Sequence, residues 1–181
     1  MSAKVLFITP PFTQLNTPYP ATAYLKGFLN TLQIPSNQAD LGIEVILRLF
    51  SRKGLTQVFE IAAQKSDDLS ENSSRILRMK AAYLQTIGTV IDFLQDKNPT
   101  LAYHISEGDF LPEAGRFEQL DDLDWAFGSL GVRDKARYLS TLYLEDIGDL
   151  ITEAVDPHFG FSRYAERLGM SALTFDEMHE A

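Results

Sequence analysis

The chain has 181 residues, no cysteine and a net charge of −9, which comes from 16 basic and 25 acidic side chains. Because cysteine is absent, disulfides, thiolate zinc sites, iron–sulfur ligation and a cysteine nucleophile are excluded within this chain. The acidic balance argues against nucleic-acid binding and polybasic membrane contact, since both need clustered cations. With neither a signal-peptide pattern nor an apolar run near the roughly 20 residues that span a bilayer, we expect a cytoplasmic protein or a piece of one.

The first forty residues have the pattern of a β-α-β unit. Residues 4–9 are a continuous apolar run with β-branched side chains, typical of a buried parallel strand, and the Pro10–Pro11 pair ends it. A polar loop is expected over residues 12–19, a helix over 20–32 and a second short strand over 36–40. This order of elements predicts the opening of an open parallel sheet.

Only helical patterns follow the second strand. We expect one kinked helix or two short ones from Gly42 to beyond Gly54, and then a polar loop over 66–74. The clearest pattern predicts one helix over 74–95, with apolar residues on a single stripe. Further helices are predicted over residues 99–107, 117–129, 133–155 and 162–168. The predicted fold is therefore a helix-rich α/β fold, in which an incomplete Rossmann-like β-α-β start with two parallel strands precedes a mainly helical insertion.

Two parallel strands are too few for an independent sheet. The remaining strands could lie in this chain without showing a pattern, come from a partner, or belong to a longer polypeptide of which this chain is a piece. We favour the last explanation. A homodimer that pairs the strands across a two-fold axis is a specific alternative.

Residues 10–29 carry a distinctive string, in which a Pro-Pro turn and a polar loop lead into a proline-led helix with an Ala-Tyr-Leu core. This string resembles the start of the cobalamin-binding domain in B12-dependent radical SAM proteins, a group that includes the anaerobic magnesium-protoporphyrin IX monomethyl ester cyclase type. The likeness covers residues 4–44, about a quarter of the chain. The matching positions are Val5 to Thr9, Pro10, Pro11, Pro20, Ala23, Tyr24 and Leu25, together with the second strand and the Leu41-Gly42 turn.

The resemblance implies a Rossmann-like domain that holds cobalamin. A C-terminal barrel of the same polypeptide would carry a [4Fe-4S] cluster and S-adenosylmethionine. Residues 1–44 would begin the cobalamin-binding domain, and residues 45–181 would form a helical insertion or subdomain. Since the cluster cysteines are absent, this chain would not be catalytic alone. The Asp-x-His-x-x-Gly motif of histidine-ligated cobalamin domains is also absent, because Gly42 stands two positions after Asp40.

The loop after the first strand suits a cofactor rim, because ligands of open α/β sheets sit beyond the carboxyl ends of the strands. Its neutral donors and acceptors match the amide fringe of a corrin. The candidate cofactor-binding residues are Thr9, Pro10, Pro11, Thr13, Gln14, Asn16, Thr17, Asp40, Leu41 and Gly42. The alternative interpretation is a stiff turn with capping hydroxyls, in which Asp40 caps the next helix. We assign no catalytic or metal-binding residue.

Other groupings of polar residues favour structural interpretations. A stripe formed by Glu145, Asp149 and Glu153 could be a metal face, but we expect a solvated outer face of the helix. The His-x-x-Glu pair at 104–107 and the Asp-x-x-His pair at 176–179 do not match a carboxylate di-iron motif. Two other functions remain open: a helical protein-interaction or dimerisation module without cofactor, and a small flavodoxin-like binding domain.

Overall fold

A computed structural model describes residues 4–10, 20–118, 120, 127–128 and 131–160. The predicted loop over 12–19, the predicted helix over 162–168 and most of the one over 117–129 lie outside these residues. The chain divides into two compact units. Unit 1 comprises Met1–Arg48 and Gly160–Ala181, and unit 2 comprises Leu49–Phe159. The division falls four residues after the sequence-based boundary between residues 44 and 45.

Unit 1 is built on a two-stranded parallel sheet. Its elements are β1 (Val5–Thr9), α1 (Pro20–Thr31), β2 (Ser36–Asp40) and α2 (Leu41–Leu49), whose last residue belongs to unit 2. The strands pair in register from Val5 with Ser36 to Thr9 with Asp40, and α1 contacts both strands. The predicted β-α-β start of a helix-rich α/β fold is thereby confirmed.

The connection from α1 to β2 uses an unusual backbone conformation. Gln33 has a positive φ of 55°, a left-handed conformation that a residue with a side chain rarely adopts. Its N–H donates to the carbonyl of Asn30 at 3.1 Å, and the N–H of Ile34 donates to that of Leu29 at 3.0 Å. These bonds satisfy carbonyls that the end of a helix leaves without partners.

All the regular elements in the described part of unit 2 are helices. Its elements are α3 (Arg52–Gln64), a 3₁₀ turn (Ser66–Asp68), α4 (Glu71–Arg78), α5 (Lys80–Leu94), α6 (Leu101–Glu107), a second 3₁₀ turn (Gly115–Phe117) and α7 (Val132–Ala154). The predicted break after residue 155 is confirmed, since α7 ends at Ala154 and a turn follows. Among the described residues, no helix is both long enough and apolar enough to cross a membrane.

The single helix predicted over 74–95 is wrong, because two helices meet at Met79. The first of them, α4, already begins at Glu71, inside the predicted loop. Ser70 explains this early start, since its hydroxyl accepts a hydrogen bond from the N–H of Ser73 at 3.2 Å and so caps the helix. The apolar stripe runs on across the break, so its periodicity gives no sign of where one helix stops.

Residues 42–64 form two short helices, which was one of the two predicted alternatives. Ser51 separates them. Its hydroxyl accepts a hydrogen bond from the N–H of Gly54 at 3.0 Å, so that Ser51 caps α3.

The core of unit 2 is organised around α7. The residues predicted to lie inside this helix are all buried: Leu139, Leu142, Tyr143, Ile147, Leu150, Ile151 and Ala154. The ring of Tyr143 stacks on that of Tyr83 with the centroids 5.1 Å apart, and Phe59 packs against Tyr83 at 6.1 Å. The Tyr143 hydroxyl donates to the carbonyl of Tyr83 at 3.2 Å and lies 3.0 Å from the Thr86 hydroxyl. The Tyr143 hydroxyl is therefore buried in the core with hydrogen-bond partners.

The end of α5 is tied to α7 by charge. Asp96, two residues past the helix, has a positive φ of 62°. Its Oδ1 accepts hydrogen bonds from Arg133 at 2.5 Å and from Arg137 at 2.9 Å. These ion pairs lie at the surface, since all three side chains are about half exposed.

Candidate cofactor-binding edge and buried polar sites

The carboxyl edge of the sheet places Thr9 directly beside Asp40, because the two residues are register partners at the ends of β1 and β2. Thr9 is only 2% exposed, and its hydroxyl has no hydrogen-bond partner within the described part of the chain. An unsatisfied buried hydroxyl costs about 1–3 kcal/mol, so a polar group that reached this edge would gain by bonding to it. The hydroxyl of Ser36, at the opposite edge of the sheet, also lacks a partner there.

Asp40 caps α2. Its Oδ1 accepts a hydrogen bond from the N–H of Ile43 at 3.1 Å, which satisfies one of the free donors of the first helical turn. Leu41 and Gly42 form that turn, and Gly42 is buried. The capping role that the sequence suggested as an alternative for Asp40 is therefore present. It keeps the carboxylate fixed at the edge of the sheet, beside Thr9.

The structure brings five of the ten candidate residues to this edge: Thr9, Pro10, Asp40, Leu41 and Gly42. The other five, Pro11, Thr13, Gln14, Asn16 and Thr17, lie outside the described residues. The described edge offers a corrin only a contact with its polar fringe, through the Thr9 hydroxyl, which has no partner among the described residues. None of these five described residues is a histidine, so they offer no imidazole ligand to cobalt.

A second polar site, which the sequence reasoning missed, is centred on Asp146 of α7. The residue is fully buried, and its two carboxylate oxygens accept hydrogen bonds from the N–H groups of Ala114 at 3.1 Å and Arg116 at 3.0 Å. Burial raises the pKa of Asp146 to about 6, although the two N–H groups and the Arg116 guanidinium act in the opposite direction. The sequence did contain one sign of this site, because Asp146 is an acidic residue among the apolar residues of the buried helix face.

The carboxylate stripe along α7 is also more than a solvated face. Asp149 accepts two hydrogen bonds from the Arg116 guanidinium, at 2.8 and 2.6 Å. Glu153 accepts hydrogen bonds from the N–H and hydroxyl of Ser70 and from the hydroxyl of Ser73. Glu153 is exposed and Asp149 partly exposed, so both residues face solvent as predicted. They also bind distant segments, which helix periodicity does not reveal. No group of three or more potential metal ligands occurs in the described ranges.

A polar cleft of about 380 Å³ lies between α4 and the second 3₁₀ turn, lined by Glu71, Asn72, Arg75, Arg78, Gly115 and Glu118. Asn72 Oδ1 accepts the N–H of Gly115 at 2.8 Å, and Arg75 pairs with Glu118 at 2.6 Å. A Cβ at position 115 would stand 2.7 Å from Asn72 Oδ1. A side chain at position 115 would therefore displace the Asn72 amide and disturb its hydrogen bond to the N–H of residue 115.

Comparison with known proteins identifies no relative. No family model matches the chain, and no curated protein or solved structure is significantly similar to it.

Proposed function

We propose that this chain is the N-terminal region of a cobalamin-dependent radical SAM enzyme. The enzyme would be an oxidoreductase or methyltransferase similar to the magnesium-protoporphyrin IX monomethyl ester cyclase type, and it would act in the cytoplasm. Unit 1 would border the corrin, whereas catalysis would require a C-terminal barrel of the same polypeptide. The proposal rests on the string over residues 10–29 and on one structural observation. The Thr9 hydroxyl, at the carboxyl edge of a parallel β-α-β unit, has no hydrogen-bond partner among the described residues.

The edge can contribute binding and orientation but no chemistry. The Thr9 hydroxyl would hydrogen-bond to an amide of the corrin fringe, and Asp40 would hold the start of α2 in place beside it. When bound, the corrin cobalt supplies a site that can carry a methyl group. The cluster and S-adenosylmethionine would be held by the barrel, since this chain has no cysteine.

Exposed apolar residues in unit 1 are consistent with a sheet that continues beyond this chain. Leu6 and Ile8 of β1 are 58% and 51% exposed, although both belong to a strand whose sequence is typical of burial on two faces. In α1, Tyr24 and Phe28 are 79% and 60% exposed. Further strands and helices of a larger domain would cover such surfaces.

The test uses the full-length polypeptide encoded by the gene. We expect a downstream Cys-x-x-x-Cys-x-x-Cys loop and, after cluster reconstitution, binding of hydroxocobalamin that shifts its visible spectrum. Thr9→Val should weaken cobalamin binding, whereas Thr56→Val, which removes a hydroxyl on α3, should not. An open reading frame without the three cysteines would overturn the proposal, as would a reconstituted protein that binds no cobalamin and cleaves no S-adenosylmethionine.

A second candidate is a helical interaction or dimerisation module without cofactor. It is favoured by the same exposed side chains, because a second copy could cover Phe28 and extend the sheet at either strand. Light scattering coupled to size-exclusion chromatography separates the candidates. A dimer of this chain that Phe28→Asp converts to monomers would favour dimerisation, whereas a monomer at all concentrations would remove it.

A further inference from the structure

Strand β1 carries apolar side chains on both faces of the sheet. Successive side chains of a strand point to opposite faces, so Val5 and Phe7 lie on one face and Leu6 and Ile8 on the other. Val5 and Phe7 are half-buried, whereas Leu6 and Ile8 are 58% and 51% exposed. One face of β1 is therefore covered, and the other stays open in the described part of the chain.

Helix α1 covers the first of these faces. It contacts both strands, and the residues of β1 on that face are the less exposed ones. The opposite face is formed by Leu6 and Ile8 together with their register partners in β2, Asn37 and Ala39. We call these four residues the open face.

An apolar parallel strand is stable when both of its faces are covered. Parallel sheets occur almost only with helices packed on each side, which is why their strands have continuous apolar sequences. Leu6 and Ile8 would gain from the same burial that α1 gives to Val5 and Phe7, since apolar area removed from water stabilises a fold. Cover of the open face therefore requires a second amphipathic helix.

The sequence contains one such helix pattern outside the described residues. Residues 161–178, which we call the C-terminal segment, have apolar side chains at steps of three and four, typical of a helix with one apolar face. This apolar stripe consists of Phe161, Tyr164, Leu168, Ala172, Phe175 and Met178. Leu173 falls on the opposite face of such a helix, with Glu166 and Glu177. Since Gly169 lowers the helix propensity, we expect this helix to depend on packing.

Both the position and the length of the C-terminal segment suit the open face. Residues 160–181, which include the segment, are grouped with residues 1–48 in unit 1. A helix over the segment would be about 27 Å long, whereas a strand of the length of β1 spans about 17 Å. Paired strands lie about 5 Å apart, and a helix with its side chains is about 10 Å wide. One helix is therefore large enough to cover a two-stranded sheet.

We propose that the C-terminal segment forms a helix that packs its apolar stripe on the open face of the same chain. Unit 1 then has three layers, with the two-stranded sheet between α1 and this helix. The open face is distinct from the carboxyl edge that carries Thr9, so its cover does not depend on a cofactor at that edge. A second copy of the chain is the alternative occupant, and its binding would depend on concentration.

Because the chain has no cysteine, single introduced thiols can probe the open face in the whole chain. Ile8→Cys places a thiol on the open face, and Phe28→Cys places one on the outer face of α1, where Phe28 is 60% exposed. Each rate of reaction with a maleimide is divided by the rate of the same variant in urea. With the segment docked, position 8 should then react about tenfold more slowly than position 28. Leu6→Cys replaces Ile8→Cys if the latter does not fold.

A second substitution identifies the segment that provides the cover. Leu168→Asp, on the apolar stripe, should raise the labelling rate at position 8 about tenfold and leave that at position 28 unchanged. Leu173→Asp is the matched control, because it introduces the same charge on the opposite face of the helix and should leave both rates unchanged. Circular dichroism checks that each variant is folded.

Three outcomes would overturn the proposal. Equal labelling rates at positions 8 and 28 would show that the open face is uncovered. Equal effects of Leu168→Asp and Leu173→Asp would show that the apolar stripe does not make the contact. Protection of position 8 that disappears on dilution would show that a second copy covers the face in place of the chain's own segment.

Discussion

The two units differ in how they use their apolar residues. The described part of unit 2 encloses a continuous core with five fully buried aromatic side chains, Phe50, Phe59, Tyr83, Phe93 and Tyr143. Among the described residues of unit 1, Ile46 is the only large apolar side chain that is buried, whereas seven others are exposed: Leu6, Ile8, Tyr24, Leu25, Phe28, Leu32 and Val45. Unit 2 can therefore be stabilised by its own packing. The described part of unit 1 has a recognisable fold but little core of its own.

The largest expected effect is in the core of unit 2. Ile147 is completely buried on α7, and Ile147→Ala would remove apolar contacts and leave a cavity. We expect the free energy of unfolding to fall by about 2–5 kcal/mol, measured by urea denaturation followed by circular dichroism. A loss below about 1 kcal/mol would show that α7 is not the centre of a packed core.

Removing the hydroxyl from each of the two stacked tyrosines should change the free energy of unfolding in opposite directions. The Tyr143 hydroxyl is bonded, so Tyr143→Phe should lower the free energy of unfolding by about 1 kcal/mol. The buried Tyr83 hydroxyl has no partner among the described residues, so Tyr83→Phe should raise it by about 1 kcal/mol. Urea midpoints of the two variants check both signs. Destabilisation by Tyr83→Phe would mean that this hydroxyl does have a partner in solution.

Glu153 joins α7 to the start of α4. Desolvation raises the pKa of this carboxyl, but the hydrogen bonds from Ser73 and Ser70 outweigh it and lower the pKa overall. Its contribution to stability is therefore present above the ordinary pKa and is lost as the pH falls below it. At neutral pH, Glu153→Gln should cost about 1 kcal/mol in a urea titration, and less at pH 4. Glu60→Gln, on the exposed face of α3, is the control and should have no effect.

The smallest expected effect is on the exposed face of α1. Phe28→Ala removes a larger side chain than Ile147→Ala, yet Phe28 is 60% exposed. We expect a change in the free energy of unfolding within about 0.5 kcal/mol in the isolated chain. A loss comparable to that of Ile147→Ala would mean that Phe28 is covered in solution, and the contrast between the units would then disappear.

Elements with strong periodic patterns could be predicted from the sequence. The sequence patterns of β1, α1 and α7 predicted the type of each element correctly and its first and last residues nearly so. The break at Met79 could not be predicted, because a helix break that preserves the apolar stripe leaves the pattern unchanged.

The polar sites were less accessible to sequence reasoning. The position of Thr9 at the edge of the sheet followed from strand order. The lack of a partner for its hydroxyl among the described residues could not be predicted, since it depends on strand pairing and burial. Asp146 likewise acquires its partners from residues 30 and 32 positions away. Contacts of that kind depend on tertiary packing, which local propensity does not encode.

Gln33 and Asp96 share a left-handed backbone but differ in how replaceable they are. Gln33 is exposed and has no described side-chain bond, so glycine there would relieve the backbone without sacrificing a contact. At Asp96 glycine would bring the same relief, but it would also sever the link from the end of α5 to Arg133 and Arg137. Redesign of this chain for greater robustness should therefore begin at position 33 and leave position 96 untouched.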